Sequence, residues 1–256
     1  MQNIFKNVEI YNGDIILVSS DILKLLIKSR QNDEKLQPNM IIDMLIEKIG
    51  KNGTLLFPTY NWDFCKGIEF NYKKTKSYCG SLSSAALERK DFKRTRNPIF
   101  SFAVTGKDKD LICDMKHENC FSLDSPFGYL IKNKGKNLFI DLHYRKGGFT
   151  FVHIVEQQAG ASNRYLKKFQ GFYTDEFNKR SKVIFSMYVR NLEQKVGTTF
   201  INKKFDNILQ KNNAYKEKEM FNTEIGSTMI DIQKAYDLLL DDTKKSGDLI
   251  YSSKIK

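Results

Sequence analysis

Short apolar runs that alternate with helical patterns constrain the fold of this chain more than any other sequence feature. The run at residues 15–18 (IILV) is short enough for a buried strand. Residues 54–57 (TLLF) form a second such run, which Pro58 ends. An amphipathic helix is predicted between the two runs, at residues 39–49. Strands separated by helices of this length predict an α/β fold with a central sheet.

The same alternation continues along the chain. Further helices are predicted at residues 22–26, 83–89, 109–115 and 150–158, and further strands at residues 99–104 and 138–142. Beyond residue 160 we expect an antiparallel pair at residues 168–174 and 183–189, helices at residues 200–210 and 230–240, and a short strand near residues 220–223. The predicted architecture is a central mixed sheet flanked by helices, with an added antiparallel strand and helix subdomain at the C-terminus. A single domain spans residues 1–256, with an α/β core at 1–160 and the subdomain, 161–256, packed on it.

Composition is typical of a globular protein, with 41% hydrophobic and 28% charged residues. The longest strictly aliphatic runs are about as long as IILV at residues 15–18. They are far shorter than the roughly 20 residues that cross a bilayer. The N-terminal stretch MQNIFKNVEI lacks the apolar segment of a signal peptide. The expectation is therefore a cytoplasmic protein with no membrane span.

The charge balance favours an anionic partner. The chain has 42 basic and 30 acidic residues, a net charge of +12, which suits nucleic acid, an acidic membrane surface or phosphate-bearing small molecules. The basic residues are dispersed, and no RNP, helix-turn-helix or zinc-finger pattern accompanies them. Nucleic-acid binding thus rests on charge alone and is not predicted. The four cysteines show no CxxC spacing, so no metal site is predicted either.

The turn after the first predicted strand has two interpretations. Ser19, Ser20 and Asp21 offer N-cap and first-turn chemistry to the helix that follows. The start of that helix also exposes unsatisfied N–H groups and the positive end of the helix dipole, which suit a phosphate group. Both interpretations stay open at this point. The absence of GxGxxG and Walker patterns disfavours dinucleotide binding and nucleotide hydrolysis.

Two loops contain candidate ligand-binding residues. Residues 56–62 (LFPTYNW) end a buried strand in an aromatic loop that contains the only tryptophan. Such loops often line ligand crevices, and aromatic packing under the loop is the alternative. Residues 124–128 (DSPFG) form a predicted turn in which Gly128 permits a close backbone approach. The predicted substrate-binding residues are Tyr60, Trp62 and Asp124.

His153, one of three histidines, lies in the segment GGFTFVHIVEQ at residues 147–157. If residues 150–158 are helical, His153 and Glu156 are i, i+3 neighbours on one face. A carboxylate at one imidazole nitrogen sets the tautomer and raises the basicity of the other nitrogen, as a general base requires. A core histidine beside a turn is the alternative. No GxSxG pattern is present, which disfavours a serine hydrolase. There is likewise no HExxH pattern.

In this order, the segments resemble those of the aminoglycoside 3-N-acetyltransferases, also called antibiotic N-acetyltransferases. The resemblance weakens after residue 165. The matching segments are GDIILVSS (13–20), GKNGTLLFPTYNW (50–62), CGSLSSAALER (79–89), RTRNPIFSFAVTG (94–106), DSPFG (124–128) and GGFTFVHIVEQ (147–157).

The resemblance implies acyl transfer from an acyl-CoA to a primary amine of an aminocyclitol or amino sugar, in a ternary complex. It implies that His153 acts as the base, that Glu156 supports it and that Thr150 lies beside the reacting centre. It also implies a CoA-binding side formed by Ser19, Ser20, Ser125, Phe127 and Gly128.

Three segments depart from the usual family pattern. Asn97 stands before Pro98, where members often have histidine. Ser83 and Ser84 stand where a glutamate is common, and FTFVH (149–153) replaces the usual NTTLH.

The charge around the histidine bears on the acceptor. Residues 143–153 include Arg145 and Lys146 and no carboxylate, whereas a pocket for a polycationic aminoglycoside is expected to be acidic. The segment RYLKKFQGFY (164–173) resembles family members associated with surface-polysaccharide pathways. The favoured acceptor is therefore an amino sugar, free or nucleotide-linked, with acetyl-CoA or another acyl-CoA as co-substrate. An aminoglycoside resistance enzyme and a non-catalytic CoA- or glycan-binding module are the alternatives, and a homodimer is left open.

Overall fold

The computed structural model describes residues 4–33, 35–144, 148–194, 203–220, 225–246 and 250. The strands of this part are β1 (Ile15–Ser20), β2 (Thr54–Pro58), β3 (Phe70–Asn71), β4 (Lys93–Arg94), β5 (Phe102–Gly106), β6 (Lys136–Ile140), β7 (Arg164–Thr174), β8 (Arg180–Arg190), β9 (Tyr215–Met220) and β10 (Ile225–Asp231). The helices are α1 (Leu23–Gln31), α2 (Pro38–Ile49), α3 (Gly80–Glu88), α4 (Lys109–Cys113), α5 (Pro126–Lys132), α6 (Val152–Ala159), α7 (Lys203–Lys211) and α8 (Ile232–Ser246).

The described strands form two sheets. The central sheet has seven strands in the order β4-β5-β2-β1-β6-β10-β9. Strands β1, β2 and β6 are parallel, whereas β5, β10 and the outer strands pair antiparallel. The second sheet has the order β3-β7-β8, and β7 and β8 form its long antiparallel ribbon. The predicted α/β class with a central mixed sheet is confirmed.

The parallel strands are buried on both faces. Alternate side chains of a strand point to opposite faces, so Leu17 enters one core while Ile16 and Val18 enter the other. The core around Leu17 includes side chains of α5, α6 and α8, and the opposite core lies under α1, α2 and α3. Every residue of the IILV run is apolar because each one faces a layer of helices.

Two predicted element boundaries, at the end of β1 and at the start of β5, are wrong for local reasons. Ser20 does not cap a helix: it is the last residue of β1, and the Asp21 carboxylate accepts the backbone N–H of Leu23 at 3.1 Å. The strand predicted from residue 99 begins at Phe102. Asn97 Oδ1 accepts the backbone N–H groups of Ile99 and Phe100 at 2.9 and 2.8 Å, which keeps them out of the sheet.

The largest differences from prediction lie after residue 200. In place of a short strand near residues 220–223, β9 ends at Met220, and residues 221–224 lie outside the described part, as do residues 200–202 of a predicted helix. Residues 230 and 231, predicted as helix, belong to β10, which pairs with β6. Gly226, Ser227 and Thr228 hide the strand pattern because they interrupt its apolar alternation. Residues after 160 thus contribute to both sheets, and the predicted division at residue 160 stays a prediction.

The parallel strands place a candidate site at one edge of the central sheet. The carboxyl ends of β1, β2 and β6 lie together at this edge, where ligands bind in open α/β sheets. None of the helices in the described ranges has the length and apolar character to cross a membrane.

Candidate active site

Helix α6 positions the predicted catalytic pair. Its apolar residues Val152, Ile154 and Val155 are buried in the core, which fixes the orientation of the helix. His153 and Glu156 lie one turn apart, and His153 Nδ1 is 2.7 Å from Glu156 Oε2. The Glu156 side chain is 1% exposed and that of His153 is 20% exposed. The carboxylate is therefore interior, while the imidazole reaches the surface.

Arg164, the first residue of β7, is a second charged contact of Glu156. Its Nε lies 2.9 Å from Glu156 Oε2, the same oxygen that contacts His153, and its side chain is 9% exposed. The N–H of Nε does not point at this oxygen, so the contact is an ion pair rather than a hydrogen bond. Arg164 Nη1 donates to the carbonyl of Tyr188 on β8 at 3.4 Å. No motif predicts this contact, because it joins a helix to a strand beyond a turn.

Thr150 and Tyr60 join the start of α6 to the loop after β2. The backbone N–H of His153 donates to the carbonyl of Thr150 at 3.1 Å. The Thr150 side chain lies near the Tyr60 hydroxyl. Burial, helped by the neighbouring thiol of Cys79, raises the pKa of Tyr60 well above its usual value, so the phenol is neutral.

A row of aromatic side chains connects His153 to the surface. The Phe121 and His153 rings are 5.3 Å apart, and Phe100 lies 4.9 Å from Phe121 and 4.7 Å from Tyr60, centroid to centroid. Trp62 meets the Phe100 ring edge-on at 6.4 Å and is 41% exposed. We call Phe121, Phe100, Tyr60 and Trp62 the aromatic wall. Three of these rings are buried in the core and Trp62 is exposed, so the row runs from the surface through the interior to His153.

Ser19 and Ser20 lie at the carboxyl end of β1, close to this cluster. Ser19 Oγ donates to the carbonyl of Gly148 at 3.3 Å and accepts from Asn137 Nδ2 at 3.1 Å. These contacts tie β1 to the segment that leads to Thr150. Ser20 is partly exposed and lies beside the start of α3 at Gly80. The structure therefore brings the two serines to the same edge as the histidine.

The DSPFG segment lies behind the aromatic wall. Ser125 caps α5, and its Oγ accepts from the backbone N–H of Gly128 at 3.5 Å. Phe127 is fully buried, with its ring 5.5 Å from Phe121. A Cβ on Gly128 would lie 2.1 Å from the carbonyl oxygen of Leu123, so this position requires glycine. Contact of these three residues with CoA stays a prediction.

Other predicted positions lie farther out. The Asp124 side chain is 83% exposed, 4.0 Å from Lys132 Nζ. Arg145 and Lys146, predicted near the histidine, lie outside the described residues. Within the described ranges, no three His, Cys, Asp or Glu residues are grouped so as to hold a metal ion.

The arrangement suits proton transfer at a surface-accessible imidazole. A buried carboxylate holds His153 Nδ1 and so orients the ring. Thr150 lies one turn before His153, and its side chain lies near the Tyr60 hydroxyl.

Comparison with known proteins assigns the family. Residues 29–240 match the aminoglycoside 3-N-acetyltransferases. The chain belongs to this family of N-acetyltransferases, and the resemblance predicted from its sequence segments is confirmed. No curated protein sequence matches the chain.

Several solved structures share the fold. Aminoglycoside acetyltransferase AAC(3)-Xa has a TM-score of 0.77 and 16% identity, over 95% of this chain and 92% of that one. Sisomicin-bound AAC-VIa has a TM-score of 0.76 and 15% identity, over 94% of this chain and 95% of that one. AAC-IIIb in a binary complex with CoASH has a TM-score of 0.73 and 13% identity, over 94% and 93%. At these identities the likeness concerns the fold.

Proposed function

We propose that this chain transfers an acetyl group from acetyl-CoA to a primary amine by direct attack in a ternary complex, with His153 as the general base. The observation that carries the proposal is the 2.7 Å contact between His153 Nδ1 and the buried Glu156 carboxylate. A carboxylate at Nδ1 keeps the proton on that nitrogen, so Nε2 is the nitrogen that accepts a proton from the amine. Acetyl-CoA as co-substrate is supported by family membership and by the CoASH complex of AAC-IIIb.

A base is required because a primary amine is largely an ammonium ion near neutral pH. The amine must lose a proton to attack the thioester carbonyl, and imidazole is well suited to that transfer. The C–N bond forms first and gives a tetrahedral intermediate; the C–S bond then breaks, and CoA leaves as the thiol with the proton that His153 took from the amine. In this proposal Thr150 and Tyr60 place their hydroxyl groups next to the reacting carbonyl, where the intermediate develops an oxyanion.

The proposed CoA-binding side consists of Ser19 and Ser20 at the end of β1, with the segment that contains Ser125, Phe127 and Gly128. Ser19 supports this proposal because it already contacts the segment that leads to α6. Trp62 supports an acceptor position at the outer end of the aromatic wall, since its ring is both exposed and packed. Asp124 is a peripheral substrate contact in this scheme.

The proposed acceptor is an amino sugar, free or nucleotide-linked, with low positive charge. Two carboxylates beside the aromatic wall are already neutralised by cations of the chain. Glu156 pairs with Arg164, and Asp63 pairs with Lys66 at 3.0 Å and accepts from the Tyr78 hydroxyl at 2.5 Å. These contacts of Asp63 hold the pKa of its carboxyl below the usual range. Together with the net charge of +12, they disfavour a polycation.

An aminoglycoside is the second candidate acceptor. The observation in its favour is family membership, together with the structure of AAC-VIa bound to sisomicin. The two candidates differ in charge, so they predict salt dependence of different size. Increasing salt weakens the binding of a polycation at an acidic site and has less effect on an acceptor of low charge.

A screen for release of the CoA thiol tests the proposal. Acetyl-CoA is supplied with amino sugars, amino-sugar nucleotides or sisomicin, and kcat/KM is compared. We expect His153→Ala to lower kcat by about 10²–10⁴-fold, with acetyl-CoA affinity unchanged. His143→Ala is the matched control, because His143 is exposed and stacks on Tyr144. Full turnover by His153→Ala rejects the base assignment.

The same screen separates the other functional classes. Binding of acetyl-CoA without thiol release for any amine indicates a non-catalytic binding module. Salt-sensitive binding to random DNA, without CoA binding, supports a function based on charge alone. The highest kcat/KM with sisomicin assigns the chain to antibiotic modification instead of amino-sugar acetylation.

A further inference from the structure

The side chains of His153 and Arg164 both contact the same carboxylate oxygen of Glu156. Glu156 Oε2 lies 2.7 Å from His153 Nδ1 and 2.9 Å from Arg164 Nε. The other carboxylate oxygen, Oε1, has no hydrogen-bond partner among the described residues. His153 and Arg164 therefore share one acceptor, and the charge on one affects the other.

Without Arg164, Glu156 would face His153 as a buried carboxylate that is 1% exposed. An uncompensated buried charge is costly, so such a pair binds a proton readily. The proton then resides on the imidazole, as an ion pair, or on the carboxyl group. In either state the pair already carries an extra proton, so it cannot accept another from the substrate amine.

Arg164 compensates the buried charge of Glu156 without the extra proton. A guanidinium is protonated throughout the physiological pH range, so it compensates the carboxylate without supplying a mobile proton. The imidazole can then remain neutral while its Nδ1–H still donates to Glu156. The ion-pair geometry is consistent with this role, since Arg164 neutralises the oxygen without directing its N–H at it.

The other elements packed around Glu156 contribute little charge. Tyr188 on β8 donates its hydroxyl to the carbonyl of Ala161 at 2.9 Å, and burial and the Glu156 charge raise the pKa of Tyr188, so it is neutral. Helix α8 contributes the apolar side chains Ala235 and Leu239 to the shared core. Phe121 covers one side of the His153 ring. Among the described groups, Arg164 is thus the cation that faces Glu156 beside the histidine.

We propose that Arg164 is a positioning residue that keeps the His153–Glu156 pair from holding an extra proton, so that His153 can accept the proton of the amine near neutral pH. This inference rests on the proposed role of His153 as base. It assigns Arg164 no contact with the substrate.

A histidine titration followed by NMR tests this without any activity. The chain has three histidines, so ¹³C-labelled imidazoles give few signals, and His153→Gln identifies the signal of His153. We expect Arg164→Gln to move the titration midpoint of His153 to higher pH by about one unit. Arg164→Lys keeps the charge and is expected to stay close to wild type. Lys168→Gln is the matched control, since Lys168 is exposed on the same face of β7.

The pH–rate profile is the second readout. In Arg164→Gln we expect the acidic limb of kcat/KM to move to higher pH, so that the rate at pH 6.5 falls about fivefold while the plateau above pH 8.5 is largely retained. An equal loss at every pH, or an unchanged NMR midpoint, overturns the proposal in favour of a purely structural role.

The Glu156→Gln background tests whether Arg164 acts through the carboxylate. If Arg164 acts through the carboxylate, Arg164→Gln in this background has no further effect on the His153 midpoint. A shift of the same size in both backgrounds contradicts the mechanism. If wild type releases no thiol with any amine, the proposed function fails, and the NMR titration still decides the role of Arg164.

Discussion

Arg94 and Arg164 both have largely buried side chains, and the difference between them separates contacts with neutral groups from contact with a carboxylate. Arg94 is 3% exposed, and its ligands are neutral. It donates to the carbonyls of Thr59 and Thr75 at 3.2 and 2.6 Å and to Ser101 Oγ at 3.0 Å, with its guanidinium 4.6 Å from the Phe70 ring centroid. It thereby ties together the ends of the loop that contains Tyr60 and Trp62.

The Arg164 side chain is 9% exposed, and it faces a carboxylate that also contacts a histidine. Neutral carbonyls have no proton to exchange, so the surroundings of Arg94 do not change with pH. Burial lowers the pKa of Arg94 to about 10, which still leaves it charged at neutral pH. The Arg94 region therefore maintains the shape of a loop, whereas in our proposal the Arg164 region controls where a proton resides.

The largest expected effect that tests this contrast is that of Glu156→Ala. The substitution leaves Arg164 as a buried cation without its carboxylate, and we expect a loss of about 3–5 kcal/mol in the free energy of unfolding. Urea denaturation measures it. Glu88→Ala, at an exposed position of α3, is the control. A loss no larger than that of the control means that the two arginine regions do not differ in the predicted way.

Arg94→Met is expected to cost somewhat less, about 2–3 kcal/mol, because it leaves neutral acceptors unpaired rather than a bare charge. We also expect KM for the acceptor to rise, since the loop with Tyr60 loses its anchor, while the shape of the pH–rate profile stays unchanged. Urea denaturation and steady-state kinetics measure these effects, with Arg30→Met on exposed α1 as control. A shifted pH profile in Arg94→Met contradicts the distinction between the regions.

Tyr60→Phe tests the link between the two regions, because Tyr60 lies on the loop anchored by Arg94 and its hydroxyl lies near Thr150, just before α6. Removing the hydroxyl is expected to lower the free energy of unfolding by about 1 kcal/mol. A double-mutant cycle with Thr150→Val measures the coupling. Additive effects of the two substitutions rule out a direct bond between these side chains.

The smallest effect concerns His117, a partly buried histidine held by a carbonyl instead of a carboxylate. Its Nδ1 lies 3.1 Å from the carbonyl oxygen of Asn119, and burial lowers the pKa of His117. Below its usual pKa the unfolded chain takes up a proton that the folded protein does not, so stability falls as pH drops through about 6.5. Urea denaturation between pH 5 and 7 measures this slope. His117→Gln should flatten it, and an unchanged slope contradicts the assignment.

Local rules explain which features could be predicted from the sequence. The pairing of His153 with Glu156 was predictable because they are one helical turn apart, and helix geometry alone makes them neighbours. The glycine at 128 is likewise a local requirement, because it lies in the first turn of α5 against the carbonyl of Leu123. The strand β10 was not predictable, since Gly226, Ser227 and Thr228 show no apolar alternation and form a strand by pairing with β6 and β9.

By itself, the sequence determined the α/β class, the family and the pairing of His153 with Glu156, because short-range periodicity and local spacing encode each of them. Only the tertiary structure decided that Arg164 shares Glu156 and that Tyr60 meets Thr150. These contacts join different secondary-structure elements. No local rule specifies which strand end packs against which helix. The charge that surrounds the proposed base is therefore a property of the folded chain.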